Sequence, residues 1–221
     1  MMPRKRYTLC LVLSLLSGCA LTSRSEPIRV RYFTLEDAAS ASSSPRERAA
    51  LELRLGRVEA SDYLSEDIAF RNGQHELEYY DDQRWTEKPQ EYLRRALARA
   101  LFQERGITRA YSGAALTLDV ELVEFEELRA TPPKVRFKAI ASLHDERRSL
   151  FEQTFVIERP LSGPAATQPD HTNATAGALA QAMHAAVSGI AERVIATLAA
   201  RGATPEATAQ VQVPQSATPP Q

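Results

Sequence analysis

Apolar and polar residues alternate along the second half of this chain. Leu116, Leu118, Val120 and Leu122 are interleaved with Thr117, Asp119 and Glu121, and then the phase slips so that Val123 and Phe125 carry it on. Val135, Phe137, Ala139, Ala141 and Leu143 repeat the pattern, as do Phe151, Phe155 and Ile157. A period of two with one polar face predicts three strands of an antiparallel sheet covered on one side. Thr131-Pro132-Pro133 and the charged run Asp145–Arg148 supply the turns. Two other stretches carry a helical period. After Pro89, which suits the first turn of a helix, Tyr92, Leu93, Ala96, Leu97, Ala100 and Leu101 form a stripe that Gly106 closes. Leu179, Met183, Val187, Ile190, Val194 and Leu198 form a narrower stripe in an alanine-rich helix expected over 172–201.

The first half is more broken. Residues 28–35 read as a strand, 36–48 as a Ser/Ala-rich loop, and Leu51, Leu53 and Leu55 as a second strand. Gly56 interrupts that strand and Val58 and Ala60 resume out of phase, which predicts a bulge. Asn72-Gly73 predicts a hairpin with a two-residue turn, pairing Arg71 with Gln74 and Ile68 with Leu77. Residues 160–171 read as a loop. The fold class expected from this order is α+β, an antiparallel β-sheet with two long α-helices packed on one face.

The N-terminus changes the picture from a plain domain to an exported one. Pro3-Arg4-Lys5-Arg6 precedes a short apolar run from Leu9 to Leu16, and small residues follow. That is the order of a secretory signal, and the run falls short of the roughly 20 apolar residues a membrane-crossing helix needs. Leu16-Ser17-Gly18-Cys19 resembles the bacterial lipobox. The resemblance implies cleavage between Gly18 and Cys19, diacylglycerol on the Cys19 sulfur and an N-acyl chain, such as palmitate, on its amino group. Ala20, where an aspartate would retain such a protein in the inner membrane, implies sorting to the outer membrane. The expected organisation is a signal peptide over 1–18, a lipid-anchored tether over 19–27 reaching at most roughly 28 Å, a folded domain over 28–201, and a disordered tail over 202–221 poor in large apolar side chains.

Charge and cysteines then exclude whole classes of function. Without Arg4, Lys5 and Arg6 the formal charge moves from −1 to about −4, so no basic excess points to nucleic acid. Cys10 lies in the signal and Cys19 carries lipid, which leaves the domain without a thiol. Thiolate catalysis, thiolate metal sites and disulfides are therefore unavailable to it.

Little else suggests catalysis. His75, His144, His171 and His184 lack metal-ligand spacing, and no phosphate-binding glycine loop or nucleophile elbow occurs. No metal or cofactor is expected. Asp81-Asp82 and Glu124, Glu126 and Glu127 are the acidic clusters; carboxylates so placed can move protons or hold a cation, but a solvated turn and a solvated strand edge account for them. Tyr79-Tyr80 and Arg84-Trp85 form the most distinctive internal cluster. Packing suits Tyr79 and Trp85, with Arg84 stacked on an aromatic face; Tyr80, on the other strand face, suits a partner surface.

Arg31-Tyr32-Phe33-Thr34-Leu35, Leu55-Gly56-Arg57-Val58 with Tyr63-Leu64, Ile68-Ala69-Phe70-Arg71, Tyr79-Tyr80, and Arg84-Trp85 followed by Pro89 and the leucine-rich helix occur in that order after the lipobox. In this ordered set the chain resembles the ABC-type transport auxiliary lipoprotein family of the paraquat-inducible PqiC type, over roughly residues 19–200, with Phe33 where tyrosine is usual. The resemblance implies a non-enzymatic lipoprotein at the periplasmic face of the outer membrane. Its partners would be an MCE-domain protein and an ABC permease and ATPase that move lipids or other hydrophobic molecules between membranes. A homo-oligomer is compatible with it, and Tyr32, Phe33, Tyr79, Tyr80, Arg84 and Trp85 are the candidate family motif and partner surface. The alternative reading is a lipid-binding carrier holding its ligand between sheet and helices.

Overall fold

The computed structural model describes residues 29–35, 49–161 and 168–202. The predicted signal, Cys19, the tether, the 36–48 loop and the tail beyond 202 lie outside the described residues. Contacts divide the chain into Met1–Val30 and Arg31–Gln221, and the second unit carries the fold.

Its elements are β1 (Arg31–Phe33), β2 (Ala49–Ala60), β3 (Asp67–Asn72), β4 (Glu76–Trp85), α1 (Pro89–Ala98), β5 (Ile107–Arg109), β6 (Leu116–Leu128), β7 (Lys134–His144), β8 (Ser149–Pro160) and α2 (Gln168–Gly202). The last turns of the first helix, Arg99–Glu104, are π-helical, and Gly106 follows them at φ 68°, the left-handed conformation that its place after the helix predicted.

β6 is the axis of the sheet. Along one edge it pairs antiparallel with β7, which pairs antiparallel with β8. Its other edge is shared: Leu116–Leu122 run parallel to Leu53–Ala60 of β2, and Glu126–Leu128 run parallel to Ala69–Arg71 of β3. β5 adds parallel to β2, β4 antiparallel to β3, and β1 parallel to β4. The sheet is therefore mixed, not antiparallel throughout. The β6–β7–β8 meander is antiparallel as alternation predicted. The parallel pairs arise because β2 and β3 reach β6 only through the hairpin, α1 and β5, long crossovers of the kind parallel pairing requires. β5 was not legible as a strand: it is three residues inside what read as a connection.

Irregularities in the pairing set which side chains meet. Gly56 and Arg57 stand opposite Asp119 alone, the predicted bulge. Asp119 Oδ1 accepts the Arg57 N–H at 2.7 Å, and a Cβ on Gly56 would overlap that same oxygen. The phase slip at Val123 is a second bulge, between Leu122 and Glu124. The hairpin turns through three residues rather than two, with Gly73 at φ 76° and Asn72 paired with Glu76. Arg71 thus pairs with Leu77, and Ile68 does not face Leu77.

The core is one cluster of side chains from sheet and helices. Leu53, Leu118, Leu122, Phe137 and Leu143 meet Leu179, Ile190 and Val194 with no exposure at all, each such side chain contributing roughly 1.5–3 kcal/mol by burial. Both predicted stripes point inward. α1 packs on β2 and on α2, and α2 packs on β7 and β8. α2 starts at Gln168, so the expected loop to 171 is shorter and His171 belongs to the helix.

Candidate functional site

β1, β4 and the start of α1 gather the aromatic residues. Trp85 pairs with Phe33 across β1 and β4, its ring lies 5.6 Å from Phe125, and its backbone N–H donates to Glu66 O at 2.7 Å. Thr86 then bonds the Tyr92 hydroxyl at 2.5 Å, fastening the strand end to the helix. Trp85 is thus the packing residue that the sequence suggests. Tyr79 and Tyr80 exchange the places expected of them. Tyr80 is buried against Phe70, 4.9 Å between ring centres. Tyr79 is exposed, and its hydroxyl bonds Tyr63 O at 3.0 Å. The cause is a slip inside the strand: Tyr79 pairs with Ala69 but Arg84 with Asp67, so alternation breaks between Tyr80 and Gln83, and Tyr80 rather than Tyr79 is buried along with Trp85. Arg84 is not stacked on a ring among the described residues. Its Nε meets Asp67 Oδ1 at 2.6 Å and its Nη1 bonds the carbonyls of Tyr80 and Gln83. Phe33 is buried and Tyr32 is 67% exposed, so the outward part of this set is Tyr32 and Tyr79, beside a half-buried Arg84.

Sequence reasoning missed the polar centre of the molecule. Glu126 and Glu127, expected on a solvated strand edge, are both buried. They lie where β6 has β7 on one side and β3 on the other, so neither side chain can reach an edge. On one face Glu126 takes a forked pair from Arg71, Nε at 2.7 Å and Nη2 at 3.0 Å, and the Tyr63 hydroxyl at 3.3 Å. The Glu126 hydrogen bond holds the Arg71 proton more tightly than usual, and burial beside that carboxylate pushes the Tyr63 hydroxyl well above the ordinary tyrosine range. On the other face Glu127 accepts the Tyr80 hydroxyl at 2.7 Å and the Thr175 hydroxyl at 3.1 Å, and His171 Nε2 lies 2.9 Å from its other oxygen. Arg129 approaches it at 3.8 Å while lying on the Phe70 ring, 3.4 Å from the centroid. Burial is the main cause that pushes the Tyr80 pKa up to about 12. The signal that was present is Glu126-Glu127 inside an apolar strand with no turn residue, two residues before Arg129.

This arrangement fastens elements together. Glu127 ties β4 and the first turns of α2 to β6, and Glu126 ties β3 to β6. A carboxylate, a histidine and a hydroxyl also make up nucleophilic sites, but here Thr175 donates to the carboxylate and is itself fully buried, so no substrate reaches it. Glu124 pairs with Arg136 and Lys138 on the outer face. Asp81 is exposed and Asp82 half-buried. His144 bonds Asp119 at 3.1 Å, while His75 and His184 are exposed. Among the described residues no group of three histidine, cysteine or acidic side chains is placed to hold a metal, and no helix is long and apolar enough to cross a membrane.

The sequence model of a family described as ABC-type transport auxiliary lipoprotein component matches residues 33–196, from the last residue of β1 through most of α2. Among solved structures, a Xanthomonas campestris protein of the DUF330 family superposes with a TM-score of 0.66 at 20% identity, covering 79% of this chain and 100% of that one. An uncharacterized protein superposes with a TM-score of 0.58 at 16% identity, covering 75% of this chain and 99% of the other. At such identities the likeness is one of fold. No curated protein matches the chain.

Proposed function

The chain belongs to the family of ABC-type transport auxiliary lipoprotein components, and from that premise we propose that it is a non-enzymatic accessory subunit that docks an MCE-domain protein and its ABC permease and ATPase. The observation that carries this reading is the family match over nearly the whole described fold. The burial of Glu126, Glu127 and the Thr175 hydroxyl at the polar centre supports a scaffold over a catalyst. Lipid on Cys19 holds the domain at the periplasmic face of the outer membrane, and the domain rather than the anchor meets the partner. We place both helices on the one sheet face whose apolar side chains form the shared cluster, which leaves the opposite, charged face and the β1–β4 edge for contacts. Tyr32 and Tyr79 are the aromatic residues available there, and β1 and β8, at the ends of the sheet among the described residues, are where a second copy would add a strand.

Co-purification from detergent extracts tests the docking reading: the MCE-domain protein is expected in stoichiometric yield, and its consistent absence rejects the reading. Cys19→Ala is expected to leave the fold intact and release the protein from membranes. Unfolding of that variant would contradict a separation of anchor from domain. The carrier reading gains nothing from the sheet–helix interface, which Leu179, Ala186, Ile190 and Val194 fill without exposure.

A further inference from the structure

Among the described residues the sheet ends at β1, β5 and β8. The first two are three residues long, whereas β8 runs for 12. β7 pairs with β8 along one edge, from Lys134 opposite Pro160 to His144 opposite Ser149. The other edge presents a row of N–H and C=O groups with no strand beside it among the described residues, a template for pairing.

Edge strands usually carry charge, proline or a bulge that keeps a second strand away. β8 has such residues only toward its ends, Glu152 on one side and Glu158, Arg159 and Pro160 on the other. Between them Gln153, Thr154, Phe155, Val156 and Ile157 hold no charge, and they pair with β7 without a shift. These side chains are also incompletely covered. On the inner face of β7, Phe137 and Ala139 have no exposure, yet Ile157 and Phe155, which oppose them, are only half-buried. On the outer face Val156 is 51% exposed. β7 covers these residues from one side, and a further strand would cover them from the other.

Charge decides which strand fits and in what register. A second β8 running antiparallel about a two-fold axis normal to the sheet keeps inner side chains with inner and outer with outer. An axis at Phe155 sets Glu152 against the partner subunit's Glu158, twice over, and like charges directly opposed are destabilising. An axis at Thr154 leaves Phe155 facing the partner's Gln153. An axis at Val156 opposes that residue to its own copy, Phe155 to the partner's Ile157, Thr154 to the partner's Glu158, and Gln153 to the partner's Arg159. No like charges then meet, and the three apolar side chains that β7 covers incompletely are covered together. Arg159, which makes no ion pair among the described residues, gains the Gln153 amide oxygen. The stretch of β4 beyond its pairing with β1 suits a second copy less, because Glu76, Glu78, Asp81 and Asp82 would repel their own copies.

We infer that β8 is the edge through which this protein associates with itself, two copies pairing β8 antiparallel about an axis at Val156 so that one sheet continues through both. The inference rests on the second-copy contact proposed above and narrows it to β8. It does not involve the MCE-domain protein, so its failure leaves the docking reading standing.

Light scattering of the full-length lipoprotein in a non-ionic detergent, corrected for bound detergent, tests the association. The parent is expected as a dimer. Val156→Lys sets two like charges together on the axis at an exposed position, and should raise the dissociation constant at least ten-fold in a variant that melts like the parent. Oxidative crosslinking tests the register, because in a chain lipidated at Cys19 an introduced thiol is the sole free one. Opposed Cβ atoms stand about 4.5–5.5 Å apart, close enough for a disulfide with slight adjustment, so Val156→Cys should give a covalent dimer. Thr154→Cys, whose copies would lie roughly 14 Å apart, should give little. A monomeric parent, an assembly indifferent to Val156→Lys, or crosslinking of Thr154→Cys equal to that of Val156→Cys overturns the inference.

Discussion

At its N-terminal end β6 turns Leu116, Leu118, Val120 and Leu122 to the core and Thr117, Asp119 and Glu121 to the other face. At its C-terminal end Phe125, Glu126, Glu127 and Leu128 are buried one after another. The first end has one covered face, so its sequence alternates and burial alone stabilises it. Both ends are flanked on both edges, by β7 and by β2 or β3, but only the second has side chains buried on both faces. Alternation has no purpose there, and the buried charges need partners brought from other elements, Arg71 from β3 and His171 and Thr175 from α2. The same strand thus depends on apolar packing at one end and on matched polar groups at the other.

Breaking the charged end should cost most. Arg71→Ala strands Glu126 without its fork and is expected to destabilise the domain by about 3–5 kcal/mol in urea denaturation. The double variant Arg71→Met with Glu126→Met should recover most of that loss, since a buried pair removed whole leaves no orphaned charge. A single variant as stable as the parent would mean that water reaches Glu126 and that the two ends do not differ. At the apolar end Leu118→Ala should cost about 3 kcal/mol through the cavity it leaves, with no partner substitution that restores it and no dependence on pH.

A smaller effect sharpens the contrast through pH. The Tyr80 hydroxyl titrates at about 12 in the fold against 10.0 for an ordinary tyrosine. Its folded pKa is raised, so the stability it contributes is complete below pH 10 and lost as pH rises through 12: the unfolded chain sheds the proton first. Tyr80→Phe should lose roughly 1–2 kcal/mol at neutral pH and show a flatter decline between pH 10 and 12. An unchanged slope would mean that the Tyr80 hydroxyl is not buried at the polar centre. The smallest effect belongs to the β7–β8 turn, where hydrogen bonds from the Arg147 N–H and the Arg201 side chain lower the Asp145 pKa to about 2. Stability from that carboxylate is present above the ordinary aspartate range and lost as pH falls through 2. Asp145→Asn should therefore reduce the acid sensitivity of thermal unfolding and shift little at pH 7.

How much of this was legible follows the same division. The β6–β7–β8 meander, the two helical stripes and the bulge at Gly56 could be read because each rests on a local pattern with one apolar side. The exchange of Tyr79 and Tyr80 could not, because it turns on a slip of the β3–β4 pairing between Tyr79 and Arg84 that no glycine or proline in β4 marks. The parallel pairings were hidden because β2 and β3 alternate alike whichever direction their neighbour runs. Burial of Glu126 and Glu127 depends on β3 and β7 flanking β6 together, which no stretch of β6 encodes. Cys19, the clearest feature of the sequence, lies outside the described residues, so the anchor rests on the sequence and the domain on the structure.

α2 has a consequence of its own. Near its start His171 and Thr175 engage Glu127 at one end of β6; near its finish Arg201 Nη1 bonds Asp145 at 3.1 Å, in the turn at the opposite end of β7. Between those two knots lie about 45 Å of helix at 1.5 Å per residue. The helix therefore works as a gauge for the sheet beneath it. Adding or removing one turn displaces one knot by roughly 5.4 Å, beyond the reach of a hydrogen bond, so the helix and the strands it spans can change length only together.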